Sequence, residues 1–490
     1  MIQNMLIGQM LDQIQQVRSS VIELKSGQVF SGKVLKLFPD NMATVQLGGL
    51  TVTARLETPL ELGQRTWLQV QPGGQPVTLK VINQPGQPNV AADPGLEGLA
   101  RGLGASVNEE NMKLLKTLVD QNVPLKADSL RAFQQVMSEA GNNQETLDAA
   151  LLAFKKGLPV TKETVLSLRA FVANTSIGSS LTGLADSLEQ AVQQPQSLLS
   201  PSLKQAVEQA LPALRSTRAV LEQTAEILAG NRGEAADTDE HTAWQSTRPQ
   251  TDASAAKTIV MELFDRLGLR HERELASSQL AMPSASINTE NESQQAVSQN
   301  VKAALLHLLQ HEDAQLLPQG VREQVQLAIH QLTGQQLMTA NAPDSAFVQV
   351  ALQLPMPGNP DGENALIQVE SRRKRNGELD PDNCRLFFYL SMQNMGETML
   401  DVSVVNRILS VHLYNDGEQI PEMVSALRGP LEARLAEQGY RLSSIRVSPI
   451  PDEGVASTAS SEPTASQGKS KPFATPPSSL ANYKGVDFRI

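Results

Sequence analysis

The sequence predicts a multidomain α+β protein: a small N-terminal domain resembling a β-barrel, a helical middle, and a C-terminal antiparallel sheet with one helix. Three observations predict it. Five short β-rich runs separated by turn residues crowd residues 21–84. A helix-forming stretch with a proline-centred duplication fills residues 106–230. Period-two runs broken by polar turns dominate residues 341–450. A chain of 490 residues has room for about three such domains.

Composition narrows the function classes. Hydrophobic residues make up 40% of the chain and aromatics only 3%, which supports cores but not deep aromatic pockets. The formal net charge of −11 argues against broad nucleic-acid binding, which needs basic surface to displace counterions. The single cysteine, Cys384, rules out an internal disulfide and a cysteine-built zinc site. It falls within a strand pattern and reads as an inert buried thiol. No apolar run is long enough to span a bilayer, so no membrane insertion is expected.

Residues 1–20 carry Ile2, Leu6, Met10, Leu11, Ile14 and Val17 at loose helical spacing. This is an N-terminal docking helix, or an uncleaved export or partner-binding signal. It lacks the positive region and cleavage site of a secretory leader. The runs "GQVFSGKVLKL", "MATVQLGG", "LTVTARLE", "RTWLQVQ" and "QPVTLKVI" then predict five strands, parted by glycines or by Pro-Asp-Asn. Phe30, Phe38 and Trp67 are the only aromatics there, too few for a stacking platform, so no nucleic acid is expected. Residues 85–105 read as a linker. Their glycines fit neither the phosphate loop nor the dinucleotide fingerprint, and no cofactor is expected.

In residues 106–230, "LVDQNVPLKADSLRAF" and "LLAFKKGLPVTKETVLSLRAF" align at Pro124 and Pro159. In each, a helix ends, proline blocks its continuation, and a new helix begins with Asp128 or Glu163 in its first turn. Two copies are too few for a solenoid, so the pattern predicts helical hairpins in a bundle. Residues 231–296 are a low-complexity linker interrupted by one amphipathic helix bearing Ile259, Leu263, Phe264 and Leu267. Residues 297–340 form a helical pair. His307 and His311 share one helix face there, but no third ligand follows, so no metal site is expected. Residues 451–490 read as a disordered tail.

Residues 341–450 say the most. In "FFYLSMQNMGETMLDVSV", Leu386, Phe388, Leu390 and Met392 alternate, as do Leu400, Val402 and Val404, giving each strand one buried face. Asn394 and Gly396 suit the turn between them. A strand at Leu409–Leu413 and the turn "NDGE" follow. A helix then carries Ile420, Val424, Leu427, Leu431 and Leu435 on one side, with Gly429-Pro430 expected to kink it and Gly439 to cap it. "YRLSSIRVSPI" supplies the closing strand, and "FVQVALQLP" and "NALIQVES" two more upstream. Between strands, Arg372, Arg373, Lys374 and Arg375 precede an Asn-Gly hairpin signal, so four cations crowd one loop end, where they could steer an acidic partner.

The order and content of "LSMQNMGETMLDVSVVNRILSVHLYNDGEQIPEMVSALRGPLEARLAEQGYRLSSIRV" resemble the C-terminal domain of flagellar hook-length control proteins. The resemblance implies a non-enzymatic regulator of bacterial flagellum assembly. Its C-terminal domain would bind the cytoplasmic domain of the flagellar type III export gate and switch export from hook-type to filament-type substrates. Met395, Gly396, Glu397, Val402 and Val404 would belong to that switch domain. The resemblance also implies hook or hook-cap subunits as further partners, and a cytoplasmic location with export through the flagellar apparatus open. The helical middle departs from the family's disordered measuring tape, since a helix advances only about 1.5 Å per residue. The alternative is a multidomain scaffold or adaptor unrelated to flagella.

Overall fold

The structure, a computed structural model, describes residues 26–47, 50–72, 77–82, 96–121, 123, 125–173, 175–194, 199–229, 253–269, 300–340, 347–356, 359–374, 379–392 and 395–450. The N-terminal helix (1–20), the tail (451–490), Pro124, Asn394, Arg375 and the Asn-Gly pair that follows it lie outside the described residues. The architecture is mixed α+β: an N-terminal five-stranded barrel, a helical middle, and a six-stranded C-terminal sheet with one helix.

Strands β1 (Val29–Leu37), β2 (Met42–Leu47), β3 (Leu50–Leu56), β4 (Arg65–Val70) and β5 (Thr78–Val81) close in the order β1-β2-β3-β5-β4. Val34, Ala43, Val45, Leu47, Ala54, Leu56, Leu68, Val70 and Leu79 fill the interior. Asp40 and Asn41 both hold left-handed backbone (φ 61° and 56°), as the tight β1–β2 hairpin requires. These are the residues of the Pro-Asp-Asn signal.

The segment read as a linker holds a helix, α1 (Leu96–Gly102). Leu99 and Ala100 are fully buried against the barrel and the following helices, and that tertiary burial overrides the glycine-rich composition. Helices α2 (Glu109–Asp120), α3 (Ala127–Ala140), α4 (Gln144–Lys156) and α5 (Lys162–Val172) realise the duplicated pattern. Asn108, Asn143 and Thr161 accept the orphan amides at the starts of α2, α4 and α5. Helices α6 (Ile177–Gln193), α7 (Pro201–Ala229), α8 (Ala253–Leu267), α9 (Val301–Gln310) and α10 (Gln319–Thr339) build a second core, to which Ile259, Leu263 and Leu267 contribute.

The sheet runs β11-β10-β9-β8-β7-β6: β6 (Phe347–Met356), β7 (Asn359–Arg373), β8 (Leu379–Met392), β9 (Gly396–Val405), β10 (Ile408–Tyr414) and β11 (Arg441–Ser448). Neighbours are antiparallel except β10 and β11, which helix α11 (Ile420–Glu437) connects in parallel. Pro430 lies inside α11, which continues past it to Glu437.

Both faces of this sheet are buried, where the alternation suggested one. Leu386, Leu400, Val402 and Val404 line the side beneath α11, as the alternation indicates. On the reverse side, Phe387, Tyr389 and Met399 enter the same core as Leu115, Phe133, Leu152 and Phe171 of the helices, and Val29 and Trp67 of the barrel. The helical segments and the sheet therefore share cores across the boundaries drawn at residues 105, 297 and 341.

Candidate docking surface of the C-terminal module

The β8–β9 turn is built around Gly396, whose φ of 66° lies in the left-handed region that glycine enters without steric cost. A Cβ there would meet nothing within 4 Å, so only the backbone conformation selects glycine. Met395 is half-buried, and Gly396 and Glu397 are exposed.

What holds this turn is Asn415, a residue that reads in sequence only as the start of a turn. Its Nδ2 donates to Met395 O at 2.8 Å, Glu397 O at 3.0 Å and Thr398 Oγ1 at 2.7 Å. Its Oδ1 accepts from Gly417 N at 2.7 Å, and its own amide donates to Ser448 O. One buried side chain thus ties the β8–β9 turn to the loop that launches α11. Asp416 adds a bond from Ile450 N at 2.9 Å. The compact "NDG" string was the available signal, since asparagine side chains organise turns through backbone groups.

The opposite end of the module is fixed separately. Asn406 and Arg407 (φ 51° and 63°) make the tight β9–β10 turn. Arg407 Nε donates to Asp382 Oδ1 at 2.7 Å, and that hydrogen bond, with the carboxylate's charge, holds the guanidinium's pKa above its ordinary value. Beside β8, Arg385 clamps Asp401 through Nε (2.9 Å) and Nη2 (2.6 Å) and lies 4.5 Å above the Phe387 ring.

Between these ends lies α11. Ile420 is buried, and Val424 and Leu435 turn partly under the helix. Met423, Leu427 and Leu431 are instead 41%, 49% and 38% exposed, spaced four residues apart along one stripe. The apolar face foreseen for this helix is therefore split, one edge packed on the sheet and one open. Val405 and Ile408 are also exposed, at the β9–β10 end.

The other residues singled out in sequence fall in different places. Val402 and Val404 are buried beneath α11 and belong to the core. Arg372 and Arg373 close β7 beside a register irregularity at Ser371–Arg373, and Arg375 and the loop after it lie outside the described residues. Lys374 follows, 3.5 Å from Asp380. His307 lies in α9, but His311 caps it with extended backbone (ψ 138°), so the two do not share a helix face. Among the described residues no group of three or more His, Cys, Asp or Glu could hold a metal ion. Burial and the carboxylates of Asp380 and Asp382 push the half-buried Cys384 thiol up, away from the reactive thiolate. Among the described residues no helix is long and apolar enough to cross a membrane.

A family model described as the TP0910 S1-like domain matches residues 7–80, the stretch that contains most of the barrel. The uncharacterized protein YlqG of Bacillus subtilis (strain 168) is 29% identical over 151 residues, 30% of this chain. That stretch is 24% of YlqG, so the chain spans about a quarter of that relative's length. No solved structure matches. The barrel is thus similar to an S1-like domain.

Proposed function

We propose that this chain is a non-enzymatic regulator of flagellar type III export, acting when its C-terminal module binds the cytoplasmic domain of the export gate. The observation that carries the reading is the open stripe Met423, Leu427 and Leu431 on α11. Exposed aliphatic side chains in register on a helix suit a partner's apolar groove. The Asn415 hub at one end and the Arg407–Asp382 pair at the other hold the module in a preset shape. Hook or hook-cap subunits are the second class of partner. A regulator of this kind works in the cytoplasm, and its passage through the flagellar apparatus belongs to the same proposal.

The test is biolayer interferometry of the full chain against the purified cytoplasmic domain of the export gate. Saturable binding that weakens at least about tenfold in Leu427→Asp is expected. Absence of binding by the wild type overturns the flagellar reading and leaves the scaffold or adaptor.

A further inference from the structure

The barrel carries a surface that the C-terminal reading does not use. Strand β1 holds a bulge: Val34 faces Val45 and Lys36 faces Thr44, so Leu35 has no residue opposite it on β2. A bulge of this kind re-aims side chains, and here Leu35 is 39% exposed. Leu37 and Phe38, where β1 leaves the barrel, are each 47% exposed. Leu62 joins them at 67%, because the next residue, Gly63, donates its amide to Val34 O at 2.8 Å and brings the β3–β4 loop against the bulge.

Leu37 pairs with the interior residue Ala43 and so opens at the barrel mouth, while cations lie on the same outer edge as the other three. Lys33 lies directly across from Arg65 on β4. Like charges directly opposite each other destabilise a strand pair, so folding gives no reason for this arrangement. Lys36 is exposed on the same strand, and no carboxylate stands opposite Lys33, Lys36 or Arg65 on β2 or β4. Asp40, in the β1–β2 hairpin, and Glu61, next to Leu62 in the β3–β4 loop, are exposed as well. The other end of the same outer surface is already covered, since Val29 and Trp67 pack into the helical core.

We infer that this bulged edge of the barrel, Leu35, Phe38 and Leu62 flanked by Lys33, Lys36 and Arg65, docks an acidic amphipathic peptide segment of a partner protein. Apolar side chains on such a segment would cover the aliphatics, and its carboxylates would meet the three cations. Single-stranded nucleic acid fits less well, because Phe38 alone offers an exposed ring to stack on. An anionic membrane shares the charge but not the discrete apolar side chains at fixed spacing, and the vesicle probe below separates the two.

The experiment uses the full chain and four probes: a labelled synthetic Leu/Glu amphipathic peptide, its Leu/Lys counterpart, oligouridylate RNA, and phosphatidylcholine vesicles containing phosphatidylglycerol. The Leu/Glu peptide is expected to bind and to weaken as salt rises. Lys36→Glu and Phe38→Ser should each weaken it about tenfold, with unchanged thermal melting because both side chains are exposed. Leu427→Asp, on α11, should leave this binding intact, which separates failure here from failure of the export reading. No binding of the Leu/Glu peptide, equal binding of the Leu/Lys peptide, no effect of either barrel variant, or tighter binding of RNA or vesicles would each overturn the inference.

Discussion

Asn415 donates to Thr398 Oγ1 at 2.7 Å inside the C-terminal module, joining the turn before β9 to the loop before α11. Both residues are buried, so Thr398 Oγ1 has no water to turn to, while Met395 O and Glu397 O lie nearer the surface. Replacing Asn415 with Ala leaves Met395 O, Glu397 O and Thr398 Oγ1 short of a donor. A buried polar group left unsatisfied costs about 1–3 kcal/mol. Chemical denaturation of the full chain should show a loss of that size for Asn415→Ala, whereas Asp416→Ala, at an exposed residue, should lose less.

Gly396 tests backbone conformation more than packing, because a Cβ there would meet nothing within 4 Å. A β-branched residue in left-handed backbone costs about 1–2 kcal/mol, and asparagine costs less. Gly396→Val should therefore lower the melting temperature more than Gly396→Asn does. Equal melting of the two variants would contradict the φ of 66°.

Gly334 tests packing without unusual backbone. A Cβ at this position of α10 would overlap Ser167 O and crowd Phe171 of α5. Alanine normally stabilises a helix over glycine by about 1 kcal/mol, but overpacking a core costs about 1–3 kcal/mol. The second effect should win, so urea titration is expected to find Gly334→Ala less stable than wild type.

Lys156 sets a pH dependence. The residue is half-buried, its Nζ donates to Met338 O at 2.9 Å and Gln349 O at 3.4 Å, and desolvation lowers its pKa from 10.5 to about 8. Between those values the unfolded chain binds the proton and the folded chain does not, so stability rises with pH. The stability of wild type relative to Lys156→Met should climb from about pH 8 and level off near pH 10.5, by roughly 3 kcal/mol. A flat difference across that range would place the lysine in solvent.

Leu427→Asp should change folding stability by less than about 0.5 kcal/mol, as expected of a surface site. The measurement is the thermal melt of the full chain. A large loss would mean that the stripe on α11 is covered within the protein and is no docking surface.

Local chemistry made much of this fold legible. The barrel followed from turn residues whose backbone demands are specific, Asp40 and Asn41 among them. The sheet followed from the alternation of Leu386 with Phe388 and of Val402 with Val404. What escaped depends on distant partners. Leu99 and Ala100 form a buried helix only because the barrel and α2 lie against them. Phe387, Tyr389 and Met399 are buried by the helical core, and their neighbours Arg385 and Asp401 on the same side break any apolar run. The split face of α11 was invisible for the same reason, since the pattern marks an apolar stripe but not how much of it the sheet covers. Asn415 could be read as a turn residue, but its acceptors at positions 395, 397 and 398 come together only in the folded chain.

The core that runs from Val29 and Trp67 through Leu115 and Phe171 to Tyr389 has a practical consequence for dissecting this protein. A truncation at residue 341 would strip Ala351, Leu366, Phe387 and Met399 of their cover and leave a raw apolar surface on the released sheet. Such a piece would stick to many things, and its binding would report the cut. Point substitutions at exposed positions of the intact chain leave that seam closed, so for this protein they are the sharper scalpel.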